Sequence, residues 1–279
     1  MEAEHIPGGL PPAFLGPGSS FTGFLASYAP DLLPANRRYP DPVPGFDVPH
    51  GTTIVAARYG DGALIAGDRR ITMGNMIANR RYEKVFQADE FTAVGIAGST
   101  GMAEEMVGLL RMELAHYEKV EGVALSVDGK ANRLATLIRD NLPAAQQGLA
   151  VVPVLAAYDT HADEGRIHSY FVDGMRCEER DFAATGSGSV FALGAVKKLY
   201  RPGMSETEAA TMAVQALYDA AEDDSATGGP DLTRRLYPQL VTLTAEGFRQ
   251  LPEDTVAGIA RDVVRGREER PDGPNAPVL

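Results

Sequence analysis

The chain has 279 residues, 44% of them hydrophobic, which is enough apolar material to bury a sizeable core and excludes disorder of the whole chain. Its formal net charge of −12 repels phosphate backbones and anionic lipid. We therefore predict neither nucleic acid nor a membrane surface as a partner.

The cysteine count and the absence of an apolar run predict the compartment. Cys177 is the only cysteine, so no internal disulfide is predicted, and no Cys/His spacing indicates a metal site. No segment approaches the roughly 20 apolar residues that cross a bilayer, and the N-terminus lacks the basic start of a secretory signal. We predict a cytoplasmic protein.

The first 50 residues differ in composition from the rest. They contain ten of the 19 prolines and a Gly/Ser-rich run at 16–19, so they cannot form a continuous helix or a central strand. We predict an extended leader over residues 1–51. Its large apolar side chains predict a short amphipathic docking element, because a disordered linker has little use for them. These side chains are Phe21, Phe24, Leu25, Leu32 and Leu33.

The segment after the leader begins with a predicted hairpin. Residues 52–59 are strongly β-prone, Gly60-Asp61-Gly62 is a turn signal, and residues 63–68 can return as the paired strand. Groups of strands and helices then follow. The predicted bounds are strands 81–86 and 91–97, helices around 102–117 and 134–142, strands 151–158 and 166–172, helices 190–200 and 205–222, strands within 240–251, and a closing helix 253–265.

This grouping predicts the fold class. Paired strands followed by paired helices favour an α+β fold with antiparallel sheets covered by helices, since strict strand–helix alternation is absent. Ser205-x-x-Glu208 is a capping box that marks the start of one helix. The folded part is predicted to end at 267, and residues 268–279, rich in Pro, Gly and charge, are predicted to be a disordered tail.

The bond between Gly51 and Thr52 is the first candidate for chemistry. A threonine hydroxyl within a chain is a weak nucleophile, but at a new N-terminus its own α-amino group, with a pKa of about 7.7 to 8.0, can act as base. Gly51 leaves the preceding carbonyl unhindered. A Gly-Thr dipeptide alone also fits an ordinary strand start, but the leader ends at this same bond.

Two charged residues and a glycine can complete such a site. If the hairpin brings Asp68 beside Thr52 and the next strand brings in Lys84, the ammonium lowers the pKa of the hydroxyl and the carboxylate keeps the ammonium charged. Gly98, in the turn after strand 91–97, can offer its backbone N–H to an oxyanion. Taken singly, these residues also fit surface charges and a turn.

Two clusters of small residues, 185–189 and 224–229, can return hydroxyls and a carboxylate to the amine of Thr52. They fit tight turns and helix caps equally well.

The order of these residues resembles that of 20S proteasome β subunits, in particular the long-leader type of actinobacteria. The resemblance covers residues 52 to about 265 and, more loosely, the leader. Asp68, Lys84 and Gly98 lie 16, 32 and 46 residues after Thr52, and these offsets coincide with the family's. The segments that carry the resemblance are Gly51-Thr-Thr-Ile-Val, Ala66-Gly-Asp-Arg-Arg70, Glu83-Lys84-Val85, Gly95-Ile-Ala-Gly98, Gly186-Ser-Gly-Ser189 and Asp223-Asp-Ser-Ala-Thr-Gly-Gly229.

The resemblance implies a fold and an assembly. The fold is a four-layer αββα sandwich, the N-terminal-nucleophile hydrolase fold. The assembly has homo-heptameric β rings stacked between rings of proteasome α subunits (α7β7β7α7), with active sites in a closed chamber. A ring ATPase unfoldase acting through the α ring, and protein substrates that include ones tagged with a small protein modifier, are further implied partners. No cofactor or metal is expected.

The resemblance also implies a threonine-type endopeptidase that degrades unfolded proteins to peptides. Residues 1–51 are then a propeptide, removed by autocatalytic cleavage between Gly51 and Thr52, and residues 52–267 are the peptidase domain. Thr52 is the nucleophile, and Asp68 and Lys84 tune it.

Other residues take supporting roles by the same resemblance. Ser187, Asp224 and Thr227 surround the amine, although Asp223 and Ser225 leave this alignment open by a residue and the family more often has serine at the position of Thr227. Gly98 stabilises the oxyanion. The substrate-binding residues are Thr72, Ile96, Gly98 and Thr100. Apolar Ile96 predicts cleavage after hydrophobic side chains.

Three alternatives share the fold. A non-catalytic ring subunit would not need the intact set of Thr52, Asp68 and Lys84. The subunits of the hexameric two-component bacterial protease also begin Thr-Thr-Ile, but they are shorter and lack so long a leader. An amidohydrolase acting on small molecules is the third.

Overall fold

Twelve strands and seven α-helices lie in residues 20–33, 36 and 51–276, the part of the chain that the computed structural model describes. Most of the predicted leader, residues 1–19, 34, 35 and 37–50, and the last three residues of the predicted tail lie outside this part.

The first sheet is built around the predicted hairpin. Over the described residues its strand order is β10-β1-β2-β11-β12, and every neighbouring pair is antiparallel. Its strands are β1 (Thr53–Tyr59), β2 (Gly62–Gly67), β10 (Phe182–Gly186), β11 (Gln239–Thr244) and β12 (Gly247–Gln250). The turn at Gly60-Asp61-Gly62 joins β1 to β2, as predicted. Both faces of β1 and β2 are buried, which explains their nearly continuous apolar sequence.

The second sheet has the order β5-β6-β7-β8-β9 over the described residues and is also antiparallel. Its strands are β5 (Val85–Asp89), β6 (Thr92–Gly95), β7 (Val154–Asp159), β8 (Glu164–Tyr170) and β9 (Arg176–Glu179); a separate hairpin pairs β3 (Ile71–Met73) with β4 (Met76–Asn79). The prediction of a strand over 81–86 was wrong in its bounds, since Lys84 is the last residue before β5.

The two predicted helix pairs and the closing helix are present, and a further helix lies in the predicted leader. They are α1 (Phe21–Tyr28), α2 (Thr100–Glu121), α3 (Val127–Asp140), α4 (Leu142–Ala145), α5 (Ser189–Leu199), α6 (Glu206–Asp223) and α7 (Glu253–Glu269). The capping box at the start of α6 is confirmed, because Ser205 and Glu208 each accept from the other's backbone N–H. α7 extends two residues past the predicted domain end at 267; the disorder of the tail stays a prediction.

Three apolar layers hold the elements together. Val55 and Ala57 of β1 face helices α5, α6 and α7, whereas Ile54 and Ala56 face the second sheet. A third layer joins the second sheet to α2 and α3. The order helix, sheet, sheet, helix confirms the four-layer αββα sandwich. Within the described residues no helix is long and apolar enough to cross a membrane.

Candidate active site

Thr52 lies immediately before β1 and is 2% exposed. Its Oγ1 donates to the Gly51 carbonyl oxygen at 2.6 Å. Its own carbonyl oxygen accepts from the backbone N–H of Ser187 at 2.9 Å, and Ser187 Oγ lies 3.3 Å from the same oxygen. Ser187 reaches this place because it follows β10, whose last residue pairs with Thr53. The hairpin and β10 together fix the backbone on both sides of the candidate nucleophile.

Asp68 follows β2 directly, and the antiparallel pairing of β2 with β1 brings it beside Thr53. Its carboxylate is fully buried. Oδ1 accepts from the N–H of Thr53 at 2.8 Å, and Oδ2 accepts from the N–H groups of Arg70 and Gly228, also at 2.8 Å. These three bonds compensate the loss of water around the charge and fix both oxygens in space.

Lys84 is fully buried, and its ammonium has three oxygen acceptors. Nζ donates to Asp68 Oδ1 and to the Gly51 carbonyl oxygen, both at 2.7 Å, and to the carbonyl oxygen of Arg70. Three acceptors match the three hydrogens of an ammonium group. Burial lowers the pKa of Lys84 from its usual value, and the charge of Asp68 opposes this fall. The predicted meeting of Thr52, Asp68 and Lys84 is present in the fold.

Gln239, which the sequence did not point to, holds the backbone at Lys84. It is 2% exposed, on β11 of the first sheet. Its Oε1 accepts from the N–H groups of Lys84 and Val85, each at 3.1 Å, and its Nε2 donates to the Val85 carbonyl at 2.8 Å. On the other side, the Lys84 carbonyl accepts from Ile96 N–H at 2.9 Å. An amide between two sheets gives no local sequence signal, so it could not be found from the pattern.

A chain of hydroxyl groups links the start of β1 to Asp224. Asp224 Oδ2 accepts from Ser187 Oγ and from Thr227 Oγ1, each at 2.6 Å. Thr227 Oγ1 lies 2.6 Å from Thr53 Oγ1, which accepts from the N–H of Gly188 at 3.1 Å. Since Thr227 donates to the carboxylate, Thr53 is the donor to Thr227. The participation of Thr53 was missed, because a strand threonine is ordinarily structural.

Asp223 and Ser225, which left the alignment open by a residue, do not place their side chains in this hydroxyl chain. Asp223 is the exposed last residue of α6. Ser225 contributes its backbone carbonyl, which accepts from Arg70 Nη1 at 3.0 Å.

Gly51 has a conformation that suits glycine. Its φ is +108°, a region that residues with side chains rarely adopt. A Cβ atom at this position would lie 2.6 Å from Thr72 Oγ1 and 3.0 Å from the Cβ of Ala226. Backbone and surroundings therefore both favour glycine before Thr52, and the predicted residue Thr72 lies against this bond.

The other predicted substrate-binding residues follow β6. Gly98 has a φ of +103° and pairs with Val151 as an isolated bridge; a Cβ there would lie 2.1 Å from the Ala150 carbonyl oxygen. Ile96 is 2% exposed and packs in the layer between the second sheet and α2 and α3. Thr100 is the first residue of α2. Their roles toward a substrate stay predictions.

Comparison with known proteins identifies the family. The model of the family described as "Proteasome subunit" matches residues 48–231, more than half of the chain. The chain belongs to the proteasome subunit family. The matched region contains all the residues of the cluster around Thr52 except Gln239, so the family assignment and the site concern the same part of the chain.

Curated relatives of this proteasome subunit include β subunits from actinobacteria. A proteasome subunit beta of Streptomyces griseus is 57% identical, with 100% of both chains covered. Proteasome subunit beta 2 of Thermomonospora curvata is 56% identical over 97% of each chain. A proteasome subunit beta of Acidothermus cellulolyticus is 56% identical over 96% of this chain and 94% of its own. The predicted resemblance to actinobacterial β subunits, leader included, is confirmed.

The site of this proteasome subunit combines a hydroxyl, a carbonyl and a cation. Thr52 Oγ1 and Lys84 Nζ both contact the oxygen of the peptide bond that precedes Thr52. A hydroxyl so placed can attack that carbonyl, and a cation on its oxygen can stabilise the negative charge that develops. In residues 20–33, 36 and 51–276 no group of three His, Cys, Asp or Glu side chains could hold a metal ion.

Proposed function

We propose that this chain is the precursor of a catalytic 20S proteasome β subunit, a threonine-type endopeptidase that becomes active when the Gly51–Thr52 bond is cut. One observation carries the proposal: the Thr52 hydroxyl and the Lys84 ammonium converge on the Gly51 carbonyl oxygen, at 2.6 and 2.7 Å. The names of its relatives, proteasome subunit beta, support the assignment.

Leader removal begins with attack of Thr52 Oγ1 on the Gly51 carbonyl carbon. A new C–O bond forms, the hydroxyl proton passes to the Thr52 nitrogen as the C–N bond breaks, and the product is an ester between Gly51 and the Thr52 side chain. Water then hydrolyses the ester, which releases a Gly51 carboxylate and restores the hydroxyl. During the attack Lys84 stabilises the oxyanion, because its ammonium already contacts that oxygen.

The mature site differs from the precursor in two groups. The nitrogen of Thr52 is no longer an amide but an amine that can accept a proton from Oγ1. Lys84 has lost one of its three acceptors, the Gly51 carbonyl, so one N–H becomes free to face the nucleophile. Asp68 retains the ammonium, and Ser187, Asp224 and Thr227 surround the new amine. Gly98 N–H receives the oxyanion of the substrate.

The oligomer and substrates are part of the same proposal. We infer homo-heptameric β rings between α rings, fed by a ring ATPase, with unfolded proteins cut after hydrophobic residues. Fluorogenic peptides ending in Tyr, Arg and Glu test the preference; faster cleavage after Arg or Glu contradicts it. Location in the cytoplasm stays a prediction.

Intact mass of the particle assembled with α subunits tests the proposal. We expect a β chain that begins at Thr52, and a leader that stays attached in Thr52→Ala. A wild-type particle that keeps residues 1–51 would favour the non-catalytic ring subunit instead. The particle mass also separates seven-membered rings from the hexameric two-component protease.

A further inference from the structure

Helix α1 of the leader packs on the peptidase domain, although it lies more than 20 residues before the Gly51–Thr52 bond. Helix α1 packs against α2, and the contact centres on Glu113, which is 2% exposed. The carboxylate of Glu113 accepts from the backbone N–H groups of Phe21, at 3.2 Å, and Thr22, and from Ser20 Oγ at 3.5 Å. All three donors belong to the leader.

Glu113 matches the chemistry of a helix start. The first N–H groups of a helix have no partner within the helix and carry a partial positive charge, so a carboxylate is a favourable acceptor. Ser20 caps the same turn, because its Oγ accepts from Gly23 N–H at 3.1 Å. Arg133 Nε of α3 lies 3.5 Å from Glu113 Oε2, so its positive charge partly compensates the charge of the carboxylate. The groove between α2 and α3 thus presents a fixed anion to the leader.

The apolar part of the contact is loose. A cavity of about 300 Å³ remains between the leader and the two helices. Its apolar lining comes from Ala26 and Leu33 of the leader and from Met102, Met106, Leu109 and Leu137 of α2 and α3. The leader does not cover the apolar side chains that border this space, so they contribute less to holding α1 than they would in close contact. The polar contact with Glu113 therefore has a large share in holding α1.

We propose that the α2–α3 groove is a binding site for the leader helix, that Glu113 is its recognition residue, and that the groove holds the leader on the subunit after the Gly51–Thr52 bond is cut. The last clause rests on the proposed function. The contacts of Ser20, Phe21 and Thr22 with Glu113 do not include the bond that is cut, so cleavage leaves them in place.

Hydrogen exchange of the full chain carrying Thr52→Ala tests the binding site, because the leader stays attached in this variant. Glu113→Gln removes the negative charge, and Glu118→Gln on the exposed side of α2 is the matched control. We expect the amide protection of residues 24–28 to fall about ten-fold in Glu113→Gln, since hydrogen bonds to charged groups are the stronger ones. Glu118→Gln should leave it unchanged.

A pair of leader variants avoids any effect on the folding of the peptidase domain. Phe21 is the first helical residue, and Ser20 before it is extended, with φ −99° and ψ 116°, which is compatible with a following proline. Phe21→Pro deletes the backbone N–H that donates to Glu113, whereas Phe21→Ala keeps this N–H. We expect lower protection in Phe21→Pro than in Phe21→Ala. Equal protection within both pairs of variants would overturn the recognition role of Glu113.

Retention after cleavage is measured separately, on particles that process. Intact mass reports whether the bond is cut, and native mass of the undenatured particle reports whether the leader is still bound. We expect cut leader to remain longer on wild-type than on Glu113→Gln particles. Immediate loss from both would overturn retention, and an uncut leader would count against the proposed function but not against the binding site.

Discussion

Lys84 and His168 are both fully buried basic side chains, but their surroundings differ. The ammonium of Lys84 has three oxygen acceptors, one of them the carboxylate of Asp68. Neither ring nitrogen of His168, on β8, has a hydrogen-bond partner among the described residues. Burial lowers the pKa of both, and in His168 to about 4. Burial favours the neutral form of a basic side chain unless neighbouring acceptors stabilise its charge. Such acceptors distinguish Lys84 in the candidate active site from His168 in the core.

The charges around His168 do not retain a proton on it. Glu178, its cross-strand neighbour, and Asp128 raise its pKa, but Arg176 and Arg166 lower it, and burial has the largest effect. His168 is therefore neutral at pH 7 and acts as a packing residue.

Substitution of Lys84 tests whether its paired charge is needed for catalysis. It should have the largest effect on the rates of leader removal and peptide hydrolysis. Lys84→Met removes the cation from the Gly51 carbonyl and leaves Asp68 without its charged partner. We expect leader removal and peptide hydrolysis to fall by about 10²- to 10⁴-fold. Intact mass over time and fluorogenic peptides measure the two rates.

Lys130→Met is the matched control. Lys130 is also buried and ion-paired, 2.8 Å from Asp89, but it lies on α3 away from Thr52. We expect it to lower the melting temperature without slowing leader removal. Equal loss of leader removal in both variants would mean that loss of any buried ion pair impairs processing. Lys84 would then have no special role at Thr52.

The depressed pKa of buried His168 predicts that acid lowers the stability of the fold. The pKa of folded His168, about 4, lies below the ordinary value of 6.5, so the unfolded chain binds a proton more readily between these values. The contribution to stability is complete above pH 6.5 and is lost as pH falls toward 4, on the order of 3 kcal/mol in total. Denaturant unfolding of the full chain at several pH values measures it.

Two histidine variants isolate the contribution of His168 to the pH dependence of stability. His168→Leu should flatten the dependence between pH 6.5 and 4, and the exposed His161→Gln should leave it as in the wild type. The same acid loss in all three proteins would show that His168 binds its proton in the folded state, contrary to the comparison.

Substitution of Gln239 should have a smaller effect on leader removal than substitution of Lys84, because Gln239 acts on Lys84 only through the backbone. Gln239→Leu removes three hydrogen bonds and should lower the free energy of unfolding by about 2 kcal/mol. We expect leader removal to slow by roughly ten-fold, as an order of magnitude for a displaced cation. Identical rates in Gln239→Leu and wild type would exclude a positioning role.

The sequence predicted those parts that depend on local patterns. The β1–β2 hairpin followed from its turn residues, and the hairpin in turn placed Asp68 beside the start of β1. Apolar residues at helical spacing predicted α2 and α3, and the capping box marked the start of α6. Strands β3, β4, β9 and β10 were missed, because segments of three to five residues are too short to establish an alternating pattern.

Contacts across layers were beyond local patterns. Gln239 lies 155 residues after Lys84, and Glu113 accepts from a leader helix more than 90 residues earlier in the chain. Both looked like ordinary polar residues of a strand and a helix. Their partners became visible only when the two sheets and the leader were placed in space.

Replacement of Thr52 in particles assembled with α subunits tests the central claim most directly. Thr52→Ser keeps a hydroxyl and an amine on one residue, and Thr52→Ala keeps only the nitrogen. We predict that Thr52→Ser particles lose the leader and hydrolyse peptides, whereas Thr52→Ala particles retain the leader and hydrolyse none. Assembled Thr52→Ala particles that cleave peptides at the wild-type rate would contradict the account.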